Sequence, residues 1–230
     1  MSKGLFITAT DTDAGKTFVT AHMVAAFREH GMSAGYFKGA LSGAYYEDGT
    51  LIPGDAKEVL TRAGLEEDYD KCVSYIFETP VSPHLAAQIE KCPIKLNKIE
   101  EDYKNICKRY DFITVEGSGG IVCPIQVNGE EVILLEHMIK LLKLPVAIVA
   151  RAGLGTINHT VLTVAYIKNL GIPIKGIILN EYEEGNTLHE DNKKMIERLS
   201  GVEVVATLPK VTDPHQKVEI DIEKLASLYE

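Results

Sequence analysis

Short apolar segments alternate with longer segments of helical periodicity along the chain. The apolar segments predict buried strands, at residues 4–8, 33–37, 111–115, 145–149, 175–179 and 202–206. The periodic segments predict helices, at residues 18–30, 56–63, 84–91, 96–110, 132–143, 160–170, 192–199 and 220–228. Continuous apolar strands joined by helices are typical of a mainly parallel sheet with helices on both faces. We therefore predict a three-layer α/β fold, and no linker-like stretch divides residues 1–230 into more than one domain.

The composition fits an ordinary soluble protein and disfavours some partners. The 230 residues are 45% hydrophobic and 25% charged, and the net charge is −9. That acidic balance weighs against nucleic acid as a partner, although a local group of N–H donors and lysines can still bind phosphate. The four cysteines form no C-x-x-C pair, and no leader or membrane-length apolar run is present. We expect a cytoplasmic protein with reduced thiols and no membrane partner.

A phosphate-binding loop is predicted between the first strand and the first helix. Residues 9–17 read ATDTDAGKT, and strand, loop and helix in this order are the context that such a loop requires. Its N–H groups and the helix dipole would face the phosphates, Lys16 would reach the β- and γ-phosphates, and Thr17 would contact Mg²⁺. The common pattern has glycine where Thr10 stands. The alternative is a turn that contains Gly-Lys-Thr without binding phosphate.

Polar residues follow several predicted strands. Lys38 and Ser42 follow the second strand, Glu116 follows the third and Asn180 follows the fifth. Because carboxyl ends of parallel strands meet at one edge of the sheet, we expect these residues to converge there with Thr17. Glu116 lies on a glycine-rich turn that suits a Mg²⁺ ligand, the alternative being a solvated glutamate.

Three other positions have weaker signals. Asp55 sits where it could cap the helix that follows, and the residues near it leave that alternative open. The N–H groups near Gly155 and Thr156 could bind an anion such as a carboxylate. His84 lies near a helix start, where a lone histidine is more often structural than catalytic.

Six segments, taken in order, resemble the motifs of the dethiobiotin synthetase family within the P-loop NTPase superfamily. They are ATDTDAGKT at 9–17, KGALSG at 38–43, GDA at 54–56, PVSPHLAA at 80–87, VEGSGG at 115–120 and LGTINHTVLT at 154–163. The resemblance implies the P-loop NTPase fold. Three positions differ from the family pattern: Ala9 replaces glycine, Gly39 replaces proline and Gly54 replaces asparagine.

The resemblance implies an ATP- and Mg²⁺-dependent ligase of biotin biosynthesis. Its substrates would be 7,8-diaminononanoate, CO₂ (or bicarbonate) and ATP, and its products dethiobiotin, ADP and phosphate. One amine would capture CO₂ as a carbamate, and a carbamate oxygen would attack the γ-phosphoryl group to give a carbamic–phosphoric anhydride. The second amine would then close the ureido ring. The family likeness also implies a homodimer.

The same resemblance implies a role for each site residue. Catalysis would involve Lys38, Lys16 and Thr12, and Mg²⁺ would be held by Thr17, Asp55 and Glu116. The nucleotide would contact Asp13, Ala14, Gly15, Lys16, Thr17, Phe18, Asp55, Glu116, Gly117, Ser118, Gly119 and, at adenine, Asn180. Ser42 would contact the diamine or carbamate end of the substrate, and a second subunit would bind its carboxylate through Gly155, Thr156, Ile157 and Asn158.

Two alternatives belong to other functional classes. A partition-type ATPase often has a second lysine early in the loop, whereas this chain has Ala9, Thr10 and Asp11 there. A non-catalytic nucleotide-sensing module would not need Lys38, Ser42 or Glu116. Stimulation of ATP turnover by the diamine would separate the synthetase from both.

Overall fold

The computed structural model describes residues 2–211 and 216–230, which form a central parallel sheet flanked by helices. Within these residues there are twelve strands: β1 (Lys3–Ala9), β2 (Ala34–Lys38), β3 (Leu41–Ser42), β4 (Tyr45–Glu47), β5 (Thr50–Ile52), β6 (Ile76–Phe77), β7 (Phe112–Glu116), β8 (Pro124–Asn128), β9 (Glu131–Leu134), β10 (Val146–Arg151), β11 (Ile174–Asn180) and β12 (Val204–Thr207). Six of them form the main sheet, in the order β12-β11-β10-β1-β7-β2. All its pairings are parallel, as the apolar segments predict.

Nine α-helices occur in the same described ranges. They are α1 (Lys16–Glu29), α2 (Gly54–Ala63), α3 (Tyr69–Cys72), α4 (Pro83–Ile89), α5 (Leu96–Ile106), α6 (Leu135–Leu142), α7 (Thr156–Asn169), α8 (Thr187–Ser200) and α9 (Ile222–Ser227). None of them combines the length and the apolar character that crossing a membrane requires.

Both faces of the sheet are covered. The consecutive residues Leu5, Phe6 and Ile7 of β1 are all fully buried, although alternate side chains point to opposite faces. Strands buried on both sides cannot show polar alternation, which explains the continuous apolar segments in the sequence.

The structure differs from the sequence-based predictions at the β4–β5 hairpin and at the start of α6, and it decides the open alternative for Asp55. Residues 45–54, where no strand was predicted, contain the antiparallel hairpin β4–β5. The helix predicted over 132–143 begins only at Leu135, because β9 pairs with β8 across the Asn128–Gly129 turn. Asp55 is not a helix cap: α2 begins at Gly54 after Pro53, so Asp55 lies inside the first turn.

The four cysteines are free thiols, as expected, and Cys123 is buried. His84 lies in the first turn of α4, and its Nδ1 atom is buried without a hydrogen-bond partner in the described part of the chain. No chemistry is indicated for either residue by these contacts.

His22 is a buried histidine of α1 that stays neutral. Its side chain is 5% exposed, and its Nε2 atom has no hydrogen-bond partner among residues 2–211 and 216–230. Burial, followed by the positive charge of Arg62, lowers the pKa of His22 to about 4. The unfolded chain therefore binds a proton at His22 more readily than the folded chain does.

We predict that His22 contributes to acid sensitivity of the fold. Because its folded pKa is depressed, its contribution to stability is complete above pH 6.5 and is lost as the pH falls toward 4. Between pH 7 and 4.5, the free energy of unfolding should fall by about 2 kcal/mol less in His22→Gln than in the parent chain. Urea unfolding at each pH measures this difference. His137→Gln, at an exposed position, is the control; parallel curves for His22→Gln and the parent would refute the prediction.

Candidate active site

The phosphate loop, residues 9–17, joins β1 to α1 in a conformation fixed by local contacts. Asp11 accepts a hydrogen bond from the N–H of Thr12 at 2.7 Å and caps a short 3₁₀ turn over Thr12–Ala14. Gly15 then adopts φ +92°, a left-handed conformation that favours glycine, and α1 begins at Lys16. The loop therefore ends at a helix N-terminus, where N–H groups are free to bind an anion.

Lys16 folds back over the loop. Its Nζ atom donates to the carbonyls of Asp11 at 3.3 Å and Thr12 at 3.1 Å, and its side chain is only 5% exposed. Burial, followed by the positive charge of Lys38, lowers its pKa.

Neighbouring strands bring together a buried group of charges. Lys38 ends β2 and Glu116 ends β7, and the two are direct partners in the parallel register. Lys38 Nζ lies 2.7 Å from Glu116 Oε1 and 2.5 Å from Asp55 Oδ2. Thr17 donates to the same Glu116 Oε1 at 2.8 Å, and the Tyr36 hydroxyl donates to Oε2 at 3.1 Å. Five side chains from β2, β7, α1 and α2 thus form one hydrogen-bonded network.

Three groups of this network, Lys38, Asp55 and Tyr36, have shifted pKa values. Burial alone would lower the pKa of Lys38, but the carboxylates of Glu116 and Asp55 raise it above its ordinary value. Burial alone would raise the pKa of Asp55, but the ammonium of Lys38 lowers it. Burial, and then Glu116, raise the pKa of Tyr36, so its hydroxyl remains a donor. Lys38 is therefore a cation between two acidic side chains.

A cavity of about 490 Å³ opens beside this network. Its lining contains most of the residues expected at the nucleotide and substrate sites: Thr12, Asp13, Gly15, Lys16, Thr17, Phe18, Lys38, Ser42, Asp55, Glu116, Gly117, Ser118 and Gly119, together with Glu58. The convergence expected at the carboxyl edge of the sheet is thus found for Thr17, Lys38, Ser42 and Glu116.

Other expected residues lie outside that cavity. Asn180 supports the loop from behind, where its Nδ2 atom donates to the carbonyl of Ala14 at 3.2 Å. Gly155 is the N-cap of α7, and Thr156 lines a separate cavity of about 220 Å³ that also contacts Thr10 and Ala14. Gly155, Thr156, Ile157 and Asn158 do not line the cavity that contains Lys38 in the same chain.

The network fits a Mg²⁺ ion that completes its shell with phosphate and water. No group of three His, Cys, Asp or Glu side chains that could hold a metal occurs in the described ranges. Mg²⁺ is commonly bound by one or two carboxylates plus substrate phosphates, which is what Asp55, Glu116 and the Thr17 hydroxyl could offer. The ammonium of Lys38 bonds both carboxylates, so the two acidic side chains are held close together beside the cavity.

Sequence reasoning missed three residues of the site. Tyr36 precedes Lys38 by two positions, so the strand period placed it on the same face. Arg151 ends β10 and donates to the carbonyl of Asp13 from Nε at 2.9 Å and Nη2 at 2.6 Å. Glu58 lies one helical turn after Asp55, and burial followed by Glu116 raises its pKa. Arg151 could have been found because it is a charged residue at the end of a predicted strand. Glu58 could have been found because it lies one helical turn from Asp55.

The three departures from the family pattern are accommodated. Ala9 is fully buried in extended β1 and does not adopt a positive φ, so this position does not require glycine. A Cβ at Gly39 would lie 2.5 Å from Met138 Sδ, so that methionine occupies the space of a side chain. A Cβ at Gly54 would make only an ordinary 3.5 Å contact with Tyr45.

We predict that Gly15→Ala disrupts the phosphate loop. An alanine at this position would have to adopt φ +92°. Its Cβ would lie 2.0 Å from Asn180 Nδ2 and would displace the amide that supports Ala14. The variant should lose about 1–3 kcal/mol of stability, with a fall in Tm of about 2–4 °C for each kcal/mol.

Thermal unfolding measures this effect. Gly153→Ala is the matched control, because a Cβ at Gly153 meets nothing within 4 Å. An unchanged Tm for Gly15→Ala would show that the loop tolerates a side chain there.

The chain is similar to proteins of known family over most of its length. Residues 3–217 match a family model described as AAA domain. The chain is 52% identical over 220 residues to ATP-dependent dethiobiotin synthetase BioD of Clostridium novyi strain NT, covering 96% of this chain and 92% of the relative. It is 50% identical over 213 residues to the Clostridium perfringens ATCC 13124 protein of the same name, covering 93% of each.

Solved structures with low sequence identity share the fold. A ParA family ATPase from Chlorobium tepidum TLS has a TM-score of 0.57 at 15% identity, covering 99% of this chain and 90% of that chain. The septum site-determining protein MinD with Mg-ADP from Pyrococcus horikoshii OT3 has a TM-score of 0.56 at 18% identity, covering 100% of this chain and 95% of that chain. These similarities confirm the expected P-loop NTPase fold class.

Proposed function

The chain belongs to the dethiobiotin synthetase family, and from that premise we propose that it forms dethiobiotin from 7,8-diaminononanoate, CO₂ and ATP, releasing ADP and phosphate. It is therefore an ATP-dependent ligase of biotin biosynthesis. The observation that carries the assignment to this site is the network of Lys38, Glu116, Asp55 and Thr17 beside the phosphate loop. A reaction that transfers a phosphoryl group to a carbamate needs such positive and metal-binding groups at one place.

The loop would bind the triphosphate. Lys16 would leave the carbonyls of Asp11 and Thr12 and span the β- and γ-phosphates, which are better acceptors for an ammonium than neutral carbonyls. Asp13, Ala14, Gly15, Thr17 and Phe18 would form the rest of the phosphate site. Gly117, Ser118 and Gly119 would approach from the end of β7, where the Ser118 hydroxyl donates to the Ala40 carbonyl at 2.8 Å.

Mg²⁺ would be held by Thr17, Asp55 and Glu116. When bound, it would neutralise charge on the phosphate oxygens during transfer. The protein's own part is to hold two carboxylates and one hydroxyl in fixed positions, which the hydrogen bonds from Thr17 to Glu116 and from Lys38 to Asp55 support.

Adenine would bind near Asn180. The Oδ1 atom of this buried amide has no hydrogen-bond partner in the described residues, so it is available to accept from an exocyclic amine. An open cavity of about 800 Å³ lined by Arg151, Tyr182 and Pro209 lies at the neighbouring strand ends and offers space for the base.

The carbamate would form on the Lys38 side of the cavity. A substrate amine forms an N–C bond to CO₂ and loses a proton, and a carbamate oxygen then attacks the γ-phosphorus while ADP leaves. The second amine attacks the carbamic carbon, phosphate leaves and the ureido ring closes. Lys38 and Thr12 would stabilise the negative charge that develops on the oxygens, and Ser42 would orient the diamine or carbamate end.

A second subunit would complete the substrate site. Gly155, Thr156, Ile157 and Asn158 would bind the substrate carboxylate at the N-terminus of α7, yet in one chain they lie outside the catalytic cavity. Leu154 is 92% exposed and Leu162 is 62% exposed beside them, which supports a homodimer that covers this surface. The chain would work in the cytoplasm, where ATP is available and its four free thiols stay reduced.

We predict that phosphate release depends on the diamine. MgATP with bicarbonate should yield little phosphate alone and a sustained release with 7,8-diaminononanoate, with dethiobiotin appearing in the mass spectrum. Phosphate release that ignores the diamine would contradict the proposal and favour a partition-type ATPase, and nucleotide binding without turnover would favour a sensing module.

We also predict that Lys38→Met separates binding from chemistry. The variant keeps an unbranched side chain but lacks the ammonium between Glu116 and Asp55. Turnover should fall by about 10²–10³, as is usual when one preorganised donor is lost, while ATP still binds. Calorimetry and the phosphate assay measure the two effects. Lys194→Met removes an exposed lysine of α8 as the control, and near-normal turnover in Lys38→Met would exclude Lys38 from the mechanism.

A further inference from the structure

We infer that Tyr36 is a positioning residue that fixes the carboxylate of Glu116 for metal binding. The inference rests on the proposed function, because it assumes that Glu116 is a ligand of the divalent ion. Tyr36 belongs to none of the motifs that define the predicted site.

The contacts divide the two oxygens of Glu116 between different tasks. Oε1 receives hydrogen bonds from Thr17 at 2.8 Å and Lys38 at 2.7 Å, and these are the neighbours proposed to act on the metal and the substrates. Oε2 receives the Tyr36 hydroxyl at 3.1 Å. The tyrosine therefore holds Oε2 and leaves Oε1 facing Thr17 and Lys38.

Burial makes this hydrogen bond consequential. Tyr36 and Glu116 are each only 1% exposed, so water cannot readily replace a lost partner of either group. Among the described residues, Glu116 is the one hydrogen-bond partner of the Tyr36 hydroxyl. A buried carboxylate with an unsatisfied oxygen would rotate toward its remaining donors.

The strand register explains why a tyrosine can reach this place. Lys38 pairs with Glu116 and Tyr36 pairs with Thr114, two residues earlier on the same two strands. Residues two apart point to the same face, so the Tyr36 ring lies beneath the Lys38–Glu116 pair and its hydroxyl extends to the carboxylate. Residues that hydrogen-bond a metal ligand from outside typically change metal affinity by about 10–100-fold when they are replaced.

The test is Tyr36→Phe, which removes the hydroxyl and keeps the ring. Mn²⁺ is titrated into protein saturated with ADP and followed by electron paramagnetic resonance. We expect Mn²⁺ affinity to fall by about tenfold or more, while ADP affinity measured with EDTA stays unchanged. Tyr229→Phe is the matched control, because Tyr229 is also buried and its hydroxyl lies 2.5 Å from that of Thr114, which belongs to the same strand as Glu116. It should bind Mn²⁺ as the parent does.

Unchanged Mn²⁺ affinity in a folded Tyr36→Phe variant would overturn the inference and leave the proposed reaction standing. The opposite result is also distinguishable. If the parent protein shows no diamine-dependent phosphate release but Tyr36→Phe lowers Mn²⁺ affinity, the proposed function is contradicted and the role of Tyr36 stands. If Tyr36→Phe does not fold, Tyr36→Phe with Glu116→Gln decides. Recovery of folding in the double variant supports coupling to the carboxylate, and failure to recover makes Tyr36 a packing residue and overturns the inference.

Discussion

The structure depends on a buried cation, Lys38, placed between Glu116 and Asp55. The placement follows from sheet register, since β2 and β7 run side by side and end on the paired residues Lys38 and Glu116. A buried ion pair adds little net stability, because desolvation of both charges offsets most of their attraction. Removing one partner is far more costly, so the pair constrains its neighbours more than it stabilises the fold. Tyr36 and Thr17 each donate a further hydrogen bond to Glu116 and strengthen that constraint.

The phosphate loop is held by the same edge of the sheet. Five consecutive strands in the sheet each end on a residue of the site or its support: Asn180, Arg151, Ala9, Glu116 and Lys38. Asn180 donates a hydrogen bond to the carbonyl of Ala14, and Arg151 donates to that of Asp13. Two strands that contribute no catalytic group therefore still fix the loop. Position at a strand end on a rigid sheet therefore gives each side chain a precision that a free loop would lack.

Sequence alone predicted the elements of the main sheet because their signals are local. Apolar segments define strands, and the Gly-Lys-Thr ending with its flanking elements defines the loop. Strand order is set by packing between distant segments, so the pairing of Tyr36 with Thr114 and the contact of Tyr36 with Glu116 could not be read from spacing. The β8–β9 hairpin was missed for a related reason: Val132 and Ile133 suit either a helix or a strand, and pairing with Val127 and Gln126 decided between them.

Charge in the cavity explains why a divalent ion should accompany the nucleotide. Two lysines, Lys16 and Lys38, line the cavity against four acidic side chains, Asp13, Asp55, Glu58 and Glu116. A triphosphate entering that acidic space meets repulsion that the backbone N–H groups of the loop offset only in part. In the proposed complex, a divalent cation held by the carboxylates would offset this repulsion, and the acidic excess near Asp55 and Glu116 would favour the metal complex over free nucleotide. Under the proposed function, the carboxylates would thus select the charge state in which the nucleotide binds.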